Sequence, residues 1–355
     1  MDQYQVIITP KTPFVTTLQA DTIFGHLCWA LKYTEGEEVL ENDFLPKYQG
    51  DVPPLLISNG FPEGFLSKPI LRPLAKEEYT LLQDNFFGQK KKDMVKFAAS
   101  MKILKKQIYI SFPALERIVN GLSYYNLYSS VFQGNFCPKN FIVKPVDCGR
   151  DYRNCYLLNH ELQSDKCHYQ QAISKSDSVF HNKKNRLSDM VEEGGLFSTP
   201  NIFYGKGIRL VVYLKDNYFG KTRLETIFRF IADGGFGADK SIGKGSFDFE
   251  IKDGFSLPEA SKPNGFMTIS NYAPSAKDQF NGYYETITKF GKLGGDWAKS
   301  KFTAFKMPLL MSTSGSFFFD HPVKNYYGGL IPDVHQTNHK IVHYGLGFPL
   351  GVKVL

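Results

Sequence analysis

The stretch ADGGFGADKSIGKGSFDFE, Ala232 to Glu250, sets Gly234, Gly235, Gly237, Gly243 and Gly245 around Lys240, Ser241 and Lys244, then alternates into SFDFE. So much bare backbone allows positive φ and close approach to a ligand. Two nucleotide-binding motifs can be tested by spacing. A phosphate-binding P-loop needs four residues between its first glycine and a Gly-Lys-Ser/Thr run. Here five residues separate Gly237 from Gly243, and Gly245 follows Lys244. A dinucleotide fingerprint needs a glycine three places after Gly237, where Lys240 stands. Both motifs also follow a strand and open a helix, whereas this loop follows a helix pattern and feeds a strand pattern. Two readings remain. One is an anion-binding concavity of exposed N–H groups, with Lys240 and Lys244 adding charge. The other is a flexible glycine-rich connection.

Upstream, YFGKTRLETIFRFIADGG places Leu224, Ile227, Phe228 and Ile231 on one helical face, with Gly234 at the expected C-cap. Ile208–Leu214 before it reads as a strand, as does SFDFEIKD after the loop. The same order opens the chain. YQVIIT (Tyr4–Thr9) is a strand ended by Pro10. ADTIFGHLCWALKY is a helix, with Asp21 as N-cap, Phe24, Leu27, Cys28 and Leu31 on one face, and Gly25 suited to close packing on the sheet. PPLLISNG is a second strand. Strand–helix–strand, an insertion, and strand–helix–strand give the β-α-β-β-α-β ferredoxin-like (RRM-like) order. The fold class is therefore α+β, with a ferredoxin-like first unit. Residues 1–255 form the first, with an insertion at about 60–200. After the linker-like LPEASKPNG, residues 256–355 form a second, β-rich unit with a short helix near Ala276–Phe290.

Within the insertion, KEEYTLLQDNFFGQKKKDMVKFAASMKILKKQ is partly helical, with Met94, Ala98, Met101 and Ile108 assigned to one face. Its lysines 90–92, 96, 102 and 105–106 read as a solvated helix face, with a binding patch as the alternative. From about Gln133 to Val191 no periodic run is found, which reads as a long loop.

Composition narrows the function classes. A hydrophobic share of 42% excludes a disordered chain, and the net charge of +7 tolerates an anionic partner without demanding one. The five cysteines (28, 137, 148, 155, 167) are odd in number and irregular in spacing, as expected of reduced thiols. No signal peptide or membrane span is read, so a cytoplasmic protein is expected. Cys148, Cys155, His160, Cys167 and His168 include zinc-ligand types but lack a C-x₂₋₄-C pair. His335, His339 and His343 stand four apart and would line a helix face. Neither group is read as a metal site, and no cofactor is expected. His26 could serve as a general acid/base in RNA cleavage but has no evident partner.

Three stretches share a resemblance. ADTIFGHLCWAL resembles the first helix of a RAMP-superfamily CRISPR subunit, and GGFGADKSIGKGSFDFE resembles the superfamily's glycine-rich loop. MSTSGSFFF with HYGLGFPLGVKV resembles the C-terminal signature of the fourth subunit of type III-A (Csm) effectors. The resemblance implies two ferredoxin-like units in a non-catalytic RNA-binding subunit that anchors the 5′ tag of the CRISPR RNA. It also implies partners: the large polymerase/nuclease subunit and a backbone RAMP subunit. The implied RNA contacts are Gly235, Gly237, Lys240, Ser241, Gly243, Lys244 and Gly245. Lys183, Lys184 and Arg186 join them on an insertion expected to act as a thumb that orders on RNA or on a neighbouring subunit. The alternative within the superfamily is a CRISPR RNA-processing endonuclease using His26.

Overall fold

A computed structural model describes residues 1–146, 148, 173–184, 187–188, 190–278, 280–295, 297 and 304–355. Along the first part of the chain lie β1 (Asp2–Pro10), α1 (Ala20–Glu35), β2 (Leu55–Pro62), β3 (Phe65–Ser67), α2 (Lys76–Phe86), α3 (Lys91–Lys105), β4 (Tyr109–Ser111), α4 (Phe112–Ile118) and α5 (Tyr124–Phe132). Then follow β5 (Ser174–Lys184), β6 (Val191–Tyr204), β7 (Leu210–Asp216), α6 (Gly220–Gly234) and β8 (Phe247–Asp253). The rest is strands: β9 (Gly265–Thr268), β10 (Gly282–Tyr283), β11 (Thr286–Lys289), β12 (Leu309–Ser312), β13 (Phe317–Phe319), β14 (Leu330–Ile331), β15 (His343–Tyr344) and β16 (Pro349–Val352).

The first sheet has the order β2-β7-β1-β8, with every neighbouring pair antiparallel. β1 and β7 take the centre because they are the most apolar strands: Val6, Ile7, Ile8 and Leu210 to Leu214 are all buried. α1 and α6 pack together on this sheet, and α6 buries the four residues its periodicity picks out, Leu224, Ile227, Phe228 and Ile231. Three local expectations change. Asp21 lies inside the first turn of α1 and pairs with Lys289 at 2.7 Å. The α1 N-terminus is served instead by Asn59, whose Oδ1 accepts the Ala20 N–H at 2.9 Å. The positive-φ C-cap of α6 is Gly235 (φ 76°), one place beyond Gly234. A Cβ on Gly25 would meet nothing within 4 Å, so packing does not require glycine there.

The insertion between β2 and β7 builds its own helical cluster. Phe97 is its hub, against Tyr79 at 4.8 Å, Phe87 at 5.2 Å and Phe132 at 6.1 Å between ring centroids. α3 therefore buries Phe97, Ser100, Met101 and Leu104, while Met94 and Ile108, expected inside, are exposed. Of the expected face only Met101 is inward, where it joins Phe97 and Leu104 at helical spacing. The expected patternless stretch after Gln133 includes a strand, β5, which pairs in antiparallel register with β6 from Ser174↔Tyr204 to Lys184↔Val191.

The C-terminal part forms a second antiparallel sheet, β10-β13-β9-β16. No α-helix occurs in it among the described residues. The helix expected near Ala276–Phe290 is replaced by turns and by β10 and β11, since β-branched Thr286, Ile287 and Thr288 alternate there as a strand does. One core joins both parts. Tyr344 packs on Phe24 at 4.9 Å, and its hydroxyl accepts the Ile57 N–H at 2.8 Å. No helix among the described residues is long and apolar enough to cross a membrane.

Candidate nucleic-acid interface

The glycine loop has two limbs and an apex. In the limbs, Gly235 and Gly245 are buried, and the Phe236 N–H donates to the Gly245 carbonyl at 2.9 Å. Gly235, Gly237 and Gly245 all have positive φ, between 69° and 82°. A Cβ on Gly245 would lie 2.0 Å from the Phe236 carbonyl oxygen, and one on Gly237 would lie 2.6 Å from Thr16 Cβ. These glycines are there for backbone geometry and packing. The apex is a short 3-10 turn, Lys240–Ile242, entered by Asp239 (φ 58°) and left by Gly243 (φ 85°). Lys240, Ser241, Ile242 and Gly243 are exposed, Lys244 is half-buried, and a Cβ on Gly243 would meet open space.

The expectation of many exposed N–H donors is corrected by this geometry. The N–H groups of Gly235 and Phe236 bond within the limbs, and those of Ile242, Gly243 and Lys244 bond to carbonyls of Asp239 and Lys240. Gly245 N–H donates to the Pro13 carbonyl at 2.9 Å, and Ser246 N–H to Thr12 Oγ1 at 2.9 Å. Gly237 N–H donates to His26 Nε2 at 3.0 Å and Ala238 N–H to Thr16 Oγ1 at 3.1 Å. The outward chemistry of the loop is concentrated on the apex and on the two lysines.

The connection Lys11–Thr17 between β1 and α1 is a residue set that sequence reasoning missed. Thr12, Pro13 and Thr16 hold the loop, while Phe14 holds the hairpin. Phe14 exchanges both backbone hydrogen bonds with Ile202, at 3.0 and 2.7 Å. Its ring, fully buried, packs on Tyr204 of the hairpin at 5.7 Å, on Phe236 of the loop at 6.1 Å and on Phe247 of β8 at 6.4 Å. The visible signal was a Thr-rich segment after Pro10, but its partners lie roughly two hundred residues away in sequence and have no local signature.

His26 is half-buried. Its ring stacks on Phe236 at 4.6 Å, and Nε2 serves as the acceptor for Gly237. Burial, with the Lys240 ammonium nearby, pushes the imidazole down to about 4. A neutral His26 is what the Gly237 bond requires, because a protonated Nε2 could not accept.

The β5–β6 hairpin is exposed along most of its length. Lys183 and Lys184 lie exposed near the end of β5, while Arg186 lies outside the described residues. Phe180, Leu196, Phe197 and Phe203 are exposed along the strands, as are Leu187 and Met190 near the turn. His181 stacks on Phe197 at 5.3 Å and pairs its Nε2 with Thr199 Oγ1 at 2.9 Å.

The other candidates do not assemble. Of the cysteine–histidine group only Cys148 lies among the described residues. His335, His339 and His343 occupy turns and β15, not a helix. His335 and His343 are buried, while His339 is exposed and bonded to Asp333 at 2.8 Å. Among the described residues no three metal-ligating side chains converge.

No protein-family model matches the chain, and no curated protein matches it. Solved structures do match over its whole length, and they come from CRISPR effector assemblies. One is the Csm3–Csm4 subcomplex of the type III-A CRISPR-Cas interference complex (TM-score 0.60, 16% identity, 99% of this chain and 100% of that one). Another is the Csm1–Csm4 cassette with AMPPNP (TM-score 0.55, 16% identity, 100% of this chain and 99% of that one), and the same cassette with pppApA matches at 0.53. The similar chain in these assemblies is Csm4. This chain shares the Csm4 fold from end to end, which bears out, at the level of fold, the resemblance read from its sequence.

Proposed function

We propose that this chain is a non-catalytic RNA-binding subunit of a type III-A CRISPR effector. In this reading its N-terminal and C-terminal parts are the two ferredoxin-like units of a RAMP subunit. It anchors the 5′ tag of the CRISPR RNA and docks the large polymerase/nuclease subunit onto the first backbone subunit.

The observation that carries the proposal is the joint anchoring of the glycine loop and the β5–β6 hairpin on one segment, Lys11–Thr17. Lys240, Ser241 and Lys244 then meet phosphates at the loop. Gly235, Gly237 and Gly245 set the backbone that presents them, and Gly243 keeps the apex open. Lys183, Lys184 and Arg186 contribute from the hairpin, whose exposed aromatic side chains can stack against unpaired bases. The endonuclease alternative requires an imidazole available to a substrate, and His26 is committed to Gly237 and Phe236.

Co-expression with the partner subunits and a CRISPR array, followed by sequencing of the bound RNA, tests this. The expected result is a population of RNAs sharing one repeat-derived 5′ end. Heterogeneous 5′ ends, or cleavage of repeat RNA by the purified chain, would overturn it.

A further inference from the structure

The segment Lys90–Lys106 holds lysines 90, 91, 92, 96, 102, 105 and 106 against the single acid Asp93, a net +6. The whole chain carries +7, so the other 338 residues are nearly balanced, 35 basic to 34 acidic. Almost all the net charge therefore sits on α3 and its two flanking residues.

All seven lysines are exposed, and among the described residues none forms an ion pair with a carboxylate. At 3.6 residues per turn, positions 91, 92, 96, 102, 105 and 106 cover roughly half the circumference, opposite the buried Phe97, Ser100, Met101 and Leu104. Exposed Val95, Ala98 and Ala99 lie between the lysines and leave the face low. Asp93 is half-buried. On the neighbouring α2, Glu78 is held by Arg72 and Asp84 accepts from Gln89, while Glu77 is exposed.

This arrangement works against the helix itself. Lys92/Lys96 and Lys102/Lys106 are like-charge (i, i+4) pairs, and Lys90 to Lys92 sit at the positive end of the helix dipole. An ordinary solvated face interleaves both signs. A polyanion laid along the face removes the repulsion and releases its own counterions.

We propose that α3 is a second RNA-binding surface, separate from the glycine loop. It holds the phosphate backbone of a single strand without reading its bases, over the roughly 21 Å from Lys92 to Lys106. The choice of RNA as the polyanion rests on the function proposed above, but the surface itself does not.

The test is binding of a 20-nucleotide oligouridylate to the full chain and to the variant Lys92→Gln/Lys96→Gln/Lys102→Gln/Lys106→Gln. Glutamine keeps the helix propensity. Affinity in low salt is expected to fall by about ten-fold or more, and the slope of log affinity against log salt to flatten by about 0.7 for each phosphate that is no longer neutralised. The melting temperature should hold or rise. Wild-type affinity and slope in this variant would overturn the proposal, as would a wild-type chain that does not bind oligouridylate. Loss of polyglutamate binding with oligouridylate binding intact would assign the face to an acidic protein and also overturn it. A parallel Lys240→Gln/Lys244→Gln variant keeps the two ideas apart. Loss in the α3 variant alone shows that this surface binds a single strand independently of the loop.

Discussion

The glycine loop and the β5–β6 hairpin rest on the same residue, Phe14, but they are built in opposite ways. In sequence the loop looks like the mobile element, with five glycines in twelve residues from Gly234 to Gly245. In the structure its limbs are fastened at Thr12, Pro13, Thr16 and His26, while the apex from Lys240 to Gly243 is exposed throughout. The hairpin has little glycine and no helical or alternating apolar pattern, yet it runs eleven residues along β5 with Phe180 72% exposed and Leu196 67% exposed. A glycine cluster here marks backbone geometry under constraint. Exposure is marked instead by large apolar side chains that no core covers.

The comparison breaks first at the shared node. Phe14→Ala removes a fully buried ring from between loop and hairpin and should cost about 3–5 kcal/mol. Urea denaturation of the full chain measures this, and a cost below about 1 kcal/mol would mean that the two regions do not share a support.

The two ends of the loop come next. Gly245→Val forces a side chain into the Phe236 carbonyl at φ 69° and should cost about 3 kcal/mol or more. Gly243→Val adds its side chain in open space and meets only the strain of φ 85°, about 1–2 kcal/mol. Equal losses in the two variants would erase the distinction between limb and apex.

A pH series sharpens the role of His26. Its folded pKa, about 4, lies below the unfolded value near 6.5, so the unfolded chain binds more protons between the two. This group's contribution to stability is full above about pH 6.5 and is lost as the pH falls towards 4. Buried His343, also pushed down to about 4 by burial, acts in the same window. Thermal melts of His26→Gln from pH 7 to 4 should show a shallower decline than the wild type, and His343→Gln should flatten it further. An unchanged profile in both variants would contradict the neutral, hydrogen-bonded assignment.

The smallest stability effect is expected on the hairpin. Phe180→Ala and Leu196→Ala should change unfolding free energy by no more than about 0.5 kcal/mol, because both side chains are exposed. A larger loss would place them in a packed environment and return the hairpin to the core.

Where the amino-acid pattern carried periodicity, the fold was legible. The apolar centres of β1 and β7 and the four buried residues of α6 follow directly from residue spacing. The glycine loop was legible as a special element between helix and strand. Its internal economy was not, because the acceptors for Gly237, Ala238 and Ser246 come from His26, Thr16 and Thr12. The β5–β6 hairpin escaped because an exposed strand such as SKSDSVFHNKK has no buried face to impose alternation. In the C-terminal part, helical spacing was read into Ala276–Phe290, where β-branched residues and short pairings prevailed.

The central claim is that the loop limbs hold an exposed apex for RNA. Its most direct measurement is the affinity of the chain for a single-stranded RNA bearing the repeat-derived 5′ tag, in wild type and in Lys240→Glu/Lys244→Glu, with melting temperatures taken on the same samples. Melting temperatures should agree within a degree or two, since Lys240 is exposed and neither lysine forms an ion pair among the described residues. Affinity should fall on the order of ten-fold or more at low salt, and its salt dependence should flatten. Unchanged tag affinity in a fully folded double variant would contradict the account.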